Sequence, residues 1–195
     1  MKLFLDSSTN YLYLALNDGK EISSFVRSGN NDHSETLVDV LKKFLDANKI
    51  TVDNITDIYV GRGPGSYTGV RISGTIAKVL ALVKNKKLYS FSTLDLMLVS
   101  KINSDGLYLS RITAKKNHSY YKAAKIKNNK IELLTKDLFS IDTELINYDE
   151  NIKIEANEEL FNTKNLTTYL LDNNLCQEED IYNYVPNYLR SEING

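Results

Sequence analysis

The residues best suited to chemistry lie close together between Gly61 and Gly74, a segment that holds five of the nine glycines of the chain. The segment joins a short apolar run to a longer one and also contains Arg62 and Arg71. Glycine permits positive φ and a close approach of backbone or ligand. Free amide groups at a helix N-terminus attract anions. The residues leave two alternatives open, an anion-binding helix start or a tight turn from strand to helix.

Three phosphate-binding or nucleophile motifs fail in this segment at definite positions. A dinucleotide fingerprint that starts at Gly61 needs glycine where Ser66 stands, and a P-loop needs a lysine, which residues 61–77 lack. A nucleophile elbow needs a serine between its glycines, but Gly65 and Gly69 flank Tyr67. The residues that remain as possible nucleotide or anion contacts are Arg62, Gly63, Gly65, Ser66 and Thr68.

From Gly69 onwards, small side chains recur every four residues, at Gly69, Ser73, Ala77 and Ala81. This spacing places them on one face of a helix. A face of small side chains lets another helix pack closely. That second helix can belong to this chain or to a partner.

Histidine and cysteine are too few for a typical metal site. Cys176 is the single cysteine, which excludes an internal disulfide and a cysteine-rich zinc site. Of the two histidines, His33 is followed four residues later by Leu37, and His118 stands far along the chain. We therefore expect no metal bound by histidines.

Charge and hydropathy restrict the partners and the location of the protein. The 195 residues include 24 basic and 25 acidic side chains, so the chain lacks the positive field that dominates nucleic-acid affinity. No basic segment precedes the first apolar run, and no run approaches the roughly 18 residues that span a bilayer. We expect a cytoplasmic protein without membrane contact.

The first half of the chain shows three strands and then helices that alternate with strands. Period-2 and period-3.6 patterns predict, in order, strands at 3–6, 11–16 and 21–27, a helix at 33–48, a strand at 57–60, a helix at 70–83, a strand at 87–91 and a helix at 93–101. This order is that of a ribonuclease H-like domain.

A second, smaller copy of this order begins near Asp105. Its predicted elements are strands at 107–114, 119–127, 131–134 and 152–155, followed by one helix at 158–174. We expect a first domain at 1–99, a second at 100–181, and a return of 182–195 to the first domain.

Four segments carry a family resemblance. The segment GPGSYTGVRI, residues 63–72, resembles the signature GPGSFTGLRIG of the TsaB (YeaZ) family. Three further segments are similar to family elements in the same order, namely LFLDSST at 3–9 with LAL at 14–16, STL at 92–94, and PNYLR at 186–190. The resemblance covers nearly the whole chain.

The resemblance implies an α/β, actin-like (ASKHA) fold of two ribonuclease H-like domains, the second reduced. It also implies a noncatalytic subunit that pairs with a TsaD-type transferase and a TsaE-type ATPase to form threonylcarbamoyladenosine on tRNA. ATP and a metal ion are then expected on the partners, with no cofactor on this chain, indirect tRNA contact and a homodimer when alone. The expected contacts on the first two helices are Val38, Leu41, Leu45, Gly69, Ser73, Ala77 and Ala81.

Asp6 stands where active ASKHA proteins use a carboxylate near nucleotide phosphates, which makes it a further possible nucleotide contact. Those proteins follow the carboxylate with a glycine-containing turn, whereas Ser7, Ser8 and Thr9 follow here. The alternatives are a nucleotide-dependent kinase or hydrolase that uses Asp6 and the glycine segment, or a carboxylate that caps the hairpin. In the second domain, Thr113 replaces an aspartate that is frequent in the family.

Overall fold

The first half of the chain folds in the predicted order. The computed structural model describes residues 1–29, 33–143, 148 and 150–189. The elements of this half are β1 (Lys2–Asp6), β2 (Tyr11–Asn17), β3 (Glu21–Ser28), α1 (His33–Ala47), β4 (Asp57–Gly61), α2 (Tyr67–Lys84), β5 (Lys87–Phe91) and α3 (Thr93–Leu98), with short 3₁₀ turns at Val52–Asn54 and Val99–Lys101. The spacing of apolar residues therefore predicts the order of strands and helices in this half correctly.

The second half differs from prediction after its strands. Its elements are β6 (Gly106–Thr113), β7 (His118–Lys127), β8 (Lys130–Leu133), β9 (Leu138–Ile141), β10 (Ile152–Glu155), α4 (Glu158–Phe161), α5 (Leu166–Asp172) and β11 (Cys176–Glu179). The prediction of one helix at 158–174 is wrong, because Asn165 has a φ of 65° and this left-handed backbone interrupts the helical path.

Two sheets carry these elements. The first sheet has the order β11-β5-β4-β1-β2-β3, with β4 parallel to both β1 and β5. The second sheet has the order β10-β6-β7-β8, and β9 pairs with the other end of β7. Strands β1 and β6 hold equivalent positions, each between an antiparallel and a parallel neighbour. The two halves thus repeat one plan, and within the described residues the second sheet has five strands against six in the first. Strand β11, which lies within the predicted second domain, pairs with β5 of the first sheet.

The side chains of β1 divide the core into two layers. Leu3 and Leu5 face a cluster that also contains Leu37 of α1 and Ala77 of α2. Phe4 points to the opposite face, where the buried cluster extends through α3 to the second sheet. Alternate side chains of a strand point to opposite faces, so one apolar strand supplies both layers. None of the helices that the structure describes is both long and apolar enough to cross a membrane.

Candidate functional site

The glycine segment packs tightly against the turn between β1 and β2. A Cβ atom on Gly69 would lie 1.8 Å from the carbonyl oxygen of Ser7, and one on Gly65 would lie 2.0 Å from that of Ser8. The Ser7 hydroxyl donates to the Gly69 carbonyl at 2.8 Å, and the Ser66 amide donates to the Ser8 carbonyl at 2.6 Å. Only glycine permits such an approach. These glycines bring two backbone segments of the same chain together.

Asp6 lies beneath this contact with both carboxylate oxygens engaged. Its Oδ1 accepts from the Ser8 amide at 2.8 Å and from the Ser8 hydroxyl at 2.5 Å, and its Oδ2 accepts from the Thr93 hydroxyl at 2.8 Å. Gly61 makes room for the carboxylate, because a Cβ there would lie 2.2 Å from Asp6 Cγ. Burial raises the pKa of Asp6, and these hydrogen bonds oppose that rise. The geometry is that of a carboxylate that caps its own turn.

A cleft of about 590 Å³ opens between the two halves beside the start of α2. Ser66, whose hydroxyl accepts from the Gly69 amide at 3.3 Å, and Thr68 line one side, and Thr113 and Arg111 line the other. The Arg111 guanidinium donates to Ser119 at 2.8 Å, to Asp142 at 3.1 Å and to Glu155 at 3.4 Å. Its charge is therefore already paired with carboxylates of this chain.

The six predicted nucleotide or anion contacts do not form one group in the structure. Gly65, Ser66 and Thr68 line the cleft, whereas Arg62 lines a second cavity. Asp6 and Gly63 are buried and line neither space. The backbone of Arg62 pairs with the C-terminal segment, since the Asn187 amide donates to the Arg62 carbonyl at 2.8 Å. The residues that follow one another in sequence thus point into different parts of the molecule.

The predicted partner contacts on α2 are also buried within the chain. Ser73, Ala77 and Ala81 have no exposed surface, and Gly69 is buried. The expectation of a docking face is corrected for these four residues, because this face of α2 packs on the first sheet. Of the three contacts predicted on α1, Leu41 and Leu45 are 5% exposed and Val38 is 63% exposed. These three, together with Leu80 and others, line a shallow groove of about 300 Å³.

A different stripe of α2 is exposed and apolar. Val79, Leu82 and Val83 have 52%, 41% and 73% of their surface exposed, and their spacing places them on one side of the helix. Val79 and Val83 belong to the apolar pattern that predicts α2, so that pattern alone would place both in the core. The small side chains of Ser73, Ala77 and Ala81 indicate which face of α2 points to the sheet, because a helix that lies close to a sheet needs small side chains at the contact.

The second cavity, of about 700 Å³, has a buried charged cluster in its wall. The Lys122 ammonium lies 2.7 Å from a carboxylate oxygen of Asp95 and 2.7 Å from one of Asp137. Asp137 also accepts from the Ser92 hydroxyl at 2.9 Å and from the Asn187 amide group at 3.0 Å. Burial raises the pKa of Asp95 to about 6, although Lys122 lowers it. The sequence gives no sign of this cluster, because Lys122 begins a lysine-rich tract, residues 122–130, that resembles a solvated basic surface.

Two sheets with the strand order of ribonuclease H, joined with a cleft between them, define an actin-like (ASKHA) protein. The model of the family described as TsaD, tRNA N6-adenosine threonylcarbamoyltransferase, matches residues 27–182. A solved structure described as YeaZ from Pseudomonas aeruginosa superimposes with a TM-score of 0.76 at 17% identity, over 96% of this chain and 99% of that chain. This likeness supports the fold.

Two relatives are similar to this chain by sequence. The Mycoplasma pneumoniae protein described as an MG208 homolog is 31% identical over 168 residues, which are 82% of this chain and 83% of the relative. The Bacillus subtilis tRNA threonylcarbamoyladenosine biosynthesis protein TsaB is 28% identical over 136 residues, which are 69% of this chain. The chain spans 59% of the length of that TsaB protein. The chain belongs to the TsaB (YeaZ) family.

Proposed function

We propose that this chain is a noncatalytic subunit in the formation of threonylcarbamoyladenosine on tRNA and that it pairs with a TsaD-type transferase. The name of the Bacillus subtilis relative supports the process, and the matching TsaD model supports the kind of partner. A TsaE-type ATPase joins the pair. ATP and the metal ion belong to these partners, and this chain contributes no cofactor.

A noncatalytic role is supported by the residues at the positions where an active relative would bind a nucleotide, because contacts within this chain already occupy them. Both oxygens of Asp6 accept hydrogen bonds from Ser8 and Thr93. Gly65 and Gly69 leave no space for a phosphate beside their Cα atoms, because the carbonyl groups of Ser7 and Ser8 already lie there. The groups that would attract a nucleotide thus hold the turn together.

The exposed apolar face of α2 is the observation on which the pairing depends. Val79, Leu82 and Val83 form one stripe, and a separate apolar groove is lined by Val38 of α1 and Leu80 of α2. Exposed apolar surface of this kind is unfavourable in water and typically marks an interface. Two adjacent helices that present it suit a partner with a matching pair of helices, and a homodimer forms on the same face when the partner is absent.

The tRNA is contacted mainly through the partner. The formal net charge of this chain is −1, so it supplies little of the attraction that phosphate backbones require. The complex acts on tRNA in the cytoplasm.

Co-purification with the TsaD-type protein of the same organism tests the pairing. Val83→Glu should abolish co-purification, because it places a charge within the apolar contact without disturbing the core. Ile152→Glu is the matched control, since Ile152 is 54% exposed but lies on β10 of the other sheet. Undiminished association of folded Val83→Glu would refute this interface.

The process is tested separately by reconstitution. A mixture of TsaD-type and TsaE-type proteins, ATP, threonine, bicarbonate, tRNA and the enzyme that makes the threonylcarbamoyl adenylate should modify the tRNA only when this chain is added. Val83→Glu should reduce the yield to that of the mixture without the chain, whereas Asp6→Asn should leave it nearly unchanged. Equal modification with and without the chain would contradict the proposed function.

A further inference from the structure

The residues that line the second cavity do not include those of the exposed face of α2 proposed for the partner. It is an open cavity lined by residues of β11, by residues within 133–137 of the second half and by residues within 183–189 of the C-terminal segment. Its volume of about 700 Å³ falls in the range of roughly 300–1,000 Å³ that is typical of small-molecule sites. The wall combines charged side chains with the amide side chains of Asn174, Gln177, Asn183 and Asn187.

Arg62 brings a guanidinium group to the wall of this cavity, where the residue is only partly buried. Its Nε atom is buried and has no hydrogen-bond partner among the residues that the structure describes, at a cost of about 1–3 kcal/mol. An acceptor from outside the chain that draws the guanidinium into the cavity would therefore be bound favourably. The flat guanidinium group binds carboxylates particularly well, because it can donate two parallel hydrogen bonds.

Glu179 brings the opposite charge to the same cavity in a fixed orientation. Its Oε1 accepts from the Ser90 hydroxyl at 2.5 Å and from the Gln177 amide group at 2.6 Å. The hydrogen bonds within the described part of the chain use this oxygen and leave Oε2 without a donor. An ammonium group is the natural partner for a carboxylate oxygen held in this way.

The charged side chains in the wall of the second cavity indicate which kind of ligand it can bind. Arg62, Lys122 and Lys136 are balanced by Asp95, Asp137 and Glu179. A simple anion would face three carboxylates, and a simple cation would face three basic groups. We propose that this cavity binds a small zwitterion, a free amino acid, with its carboxylate on Arg62 and its ammonium group on Glu179. The amide side chains then bind the polar atoms of the ligand.

Calorimetry on the isolated full chain tests this proposal without any partner protein. Glycine, L-serine, L-threonine and L-glutamine serve as zwitterionic probes, and acetate and ethylamine carry one charge each. We expect saturable binding of at least one amino acid, with acetate and ethylamine at least roughly tenfold weaker. Acetate that binds as tightly as every amino acid would overturn the proposal, and so would the absence of saturable binding at about 10 mM.

Two variants and a control assign the binding to the cavity. Arg62→Gln and Glu179→Gln should each weaken the binding at least roughly tenfold. Arg71→Gln should leave it unchanged, because Arg71 is an exposed arginine of α2 outside the cavity. Folded variants of Arg62 and Glu179 that bind as the unchanged chain does would refute the assignment.

An NMR titration of the unchanged chain keeps the test valid even if a variant fails to fold. The amino acid that binds best should shift the side-chain amide signals of Asn174, Gln177 and Asn183, which line the cavity. Shifts confined instead to residues of the other cleft, such as Thr68 and Thr113, would refute the proposal.

Discussion

The carboxylate of Asp6 accepts a hydrogen bond from the hydroxyl of Thr93, with 2.8 Å between Oδ2 and Oγ1. Asp6 ends β1 and Thr93 begins α3, 87 residues further along the chain. Ser8 supplies two more donors to the other oxygen. A buried carboxylate needs such donors to compensate for the loss of water. The residue that most resembles a nucleotide ligand in the sequence therefore joins two elements of the fold.

Asp6→Ala should destabilise the chain by about 2–4 kcal/mol, because three buried donors lose their acceptor at once. Thr93→Val removes one of these donors and should cost about 1 kcal/mol. Urea unfolding gives both values. Asp18→Ala is the control, because the Asp18 side chain is 67% exposed and its loss should change the free energy of unfolding by less than about 0.5 kcal/mol.

Nucleotide binding that depends on Asp6 would contradict a purely structural role for this residue. If the unchanged chain bound ATP and Mg²⁺ with micromolar affinity and folded Asp6→Asn did not, the nucleotide-dependent kinase or hydrolase would become the better hypothesis. We expect no binding of that strength.

Gly69→Ala should destabilise the chain by about 1–3 kcal/mol or more, because the new Cβ would overlap the Ser7 carbonyl and one of the two backbones must move. Gly74→Ala in the same helix is the matched control. Its Cβ would lie 3.2 Å from a ring carbon of Tyr184, and a side chain can adjust where a backbone cannot. Thermal unfolding of both variants makes the comparison, and equal losses of stability would show that the close approach at Gly69 is unimportant.

The sequence predicts the order of elements because most strands and helices bury one regular face. Strand β11, Cys176–Glu179, escapes prediction because its polar residues occupy the edge of the sheet, where no alternating pattern is required. The break at Asn165 escapes prediction because the apolar spacing continues on both sides of it. The periodicity of apolar residues shows which residues share a face, but it does not show where a helix must end.

The candidate sites were predicted less well, for a related reason. The sequence places Ala77 and Ala81 on one face of α2, but only the position of the sheet shows that this face points inward. Likewise, Arg62 and Ser66 are four residues apart, and the turn between them sends the two side chains to different cavities. The Lys122 cluster joins residues far apart in sequence, so no local spacing can reveal it.

The stability of the chain should depend on pH through Asp95. Burial raises the pKa of Asp95 from its ordinary 3.8 to about 6, against the lowering effect of Lys122. A raised pKa means that the folded state binds the proton more tightly than the unfolded state, so this stabilisation is complete below pH 3.8 and is lost as the pH rises through about 6. Relative to Asp95→Asn, the unchanged chain should lose on the order of 1–3 kcal/mol across this range.

Urea unfolding of the two proteins at several pH values between 4 and 7 measures this difference. Asp6 also has a pKa raised by burial, but it is present in both proteins and its effect cancels in the comparison. Parallel profiles for the two proteins would show that Asp95 titrates alike in the folded and unfolded states.

The isolated chain should form a homodimer that Val83→Glu dissociates. Val79, Leu82 and Val83 expose between 41% and 73% of their surface, and a second copy of the same face would cover them. A twofold dimer brings each residue near its counterpart, so two like charges would meet in the contact and weaken it by at least roughly tenfold.

Light scattering during gel filtration at several concentrations measures the mass of the particle. Ile152→Glu, with the same added charge on β10, should keep the dimer. A monomeric unchanged chain at high concentration would contradict the proposed homodimer, and a dimer unaffected by Val83→Glu would place the contact elsewhere.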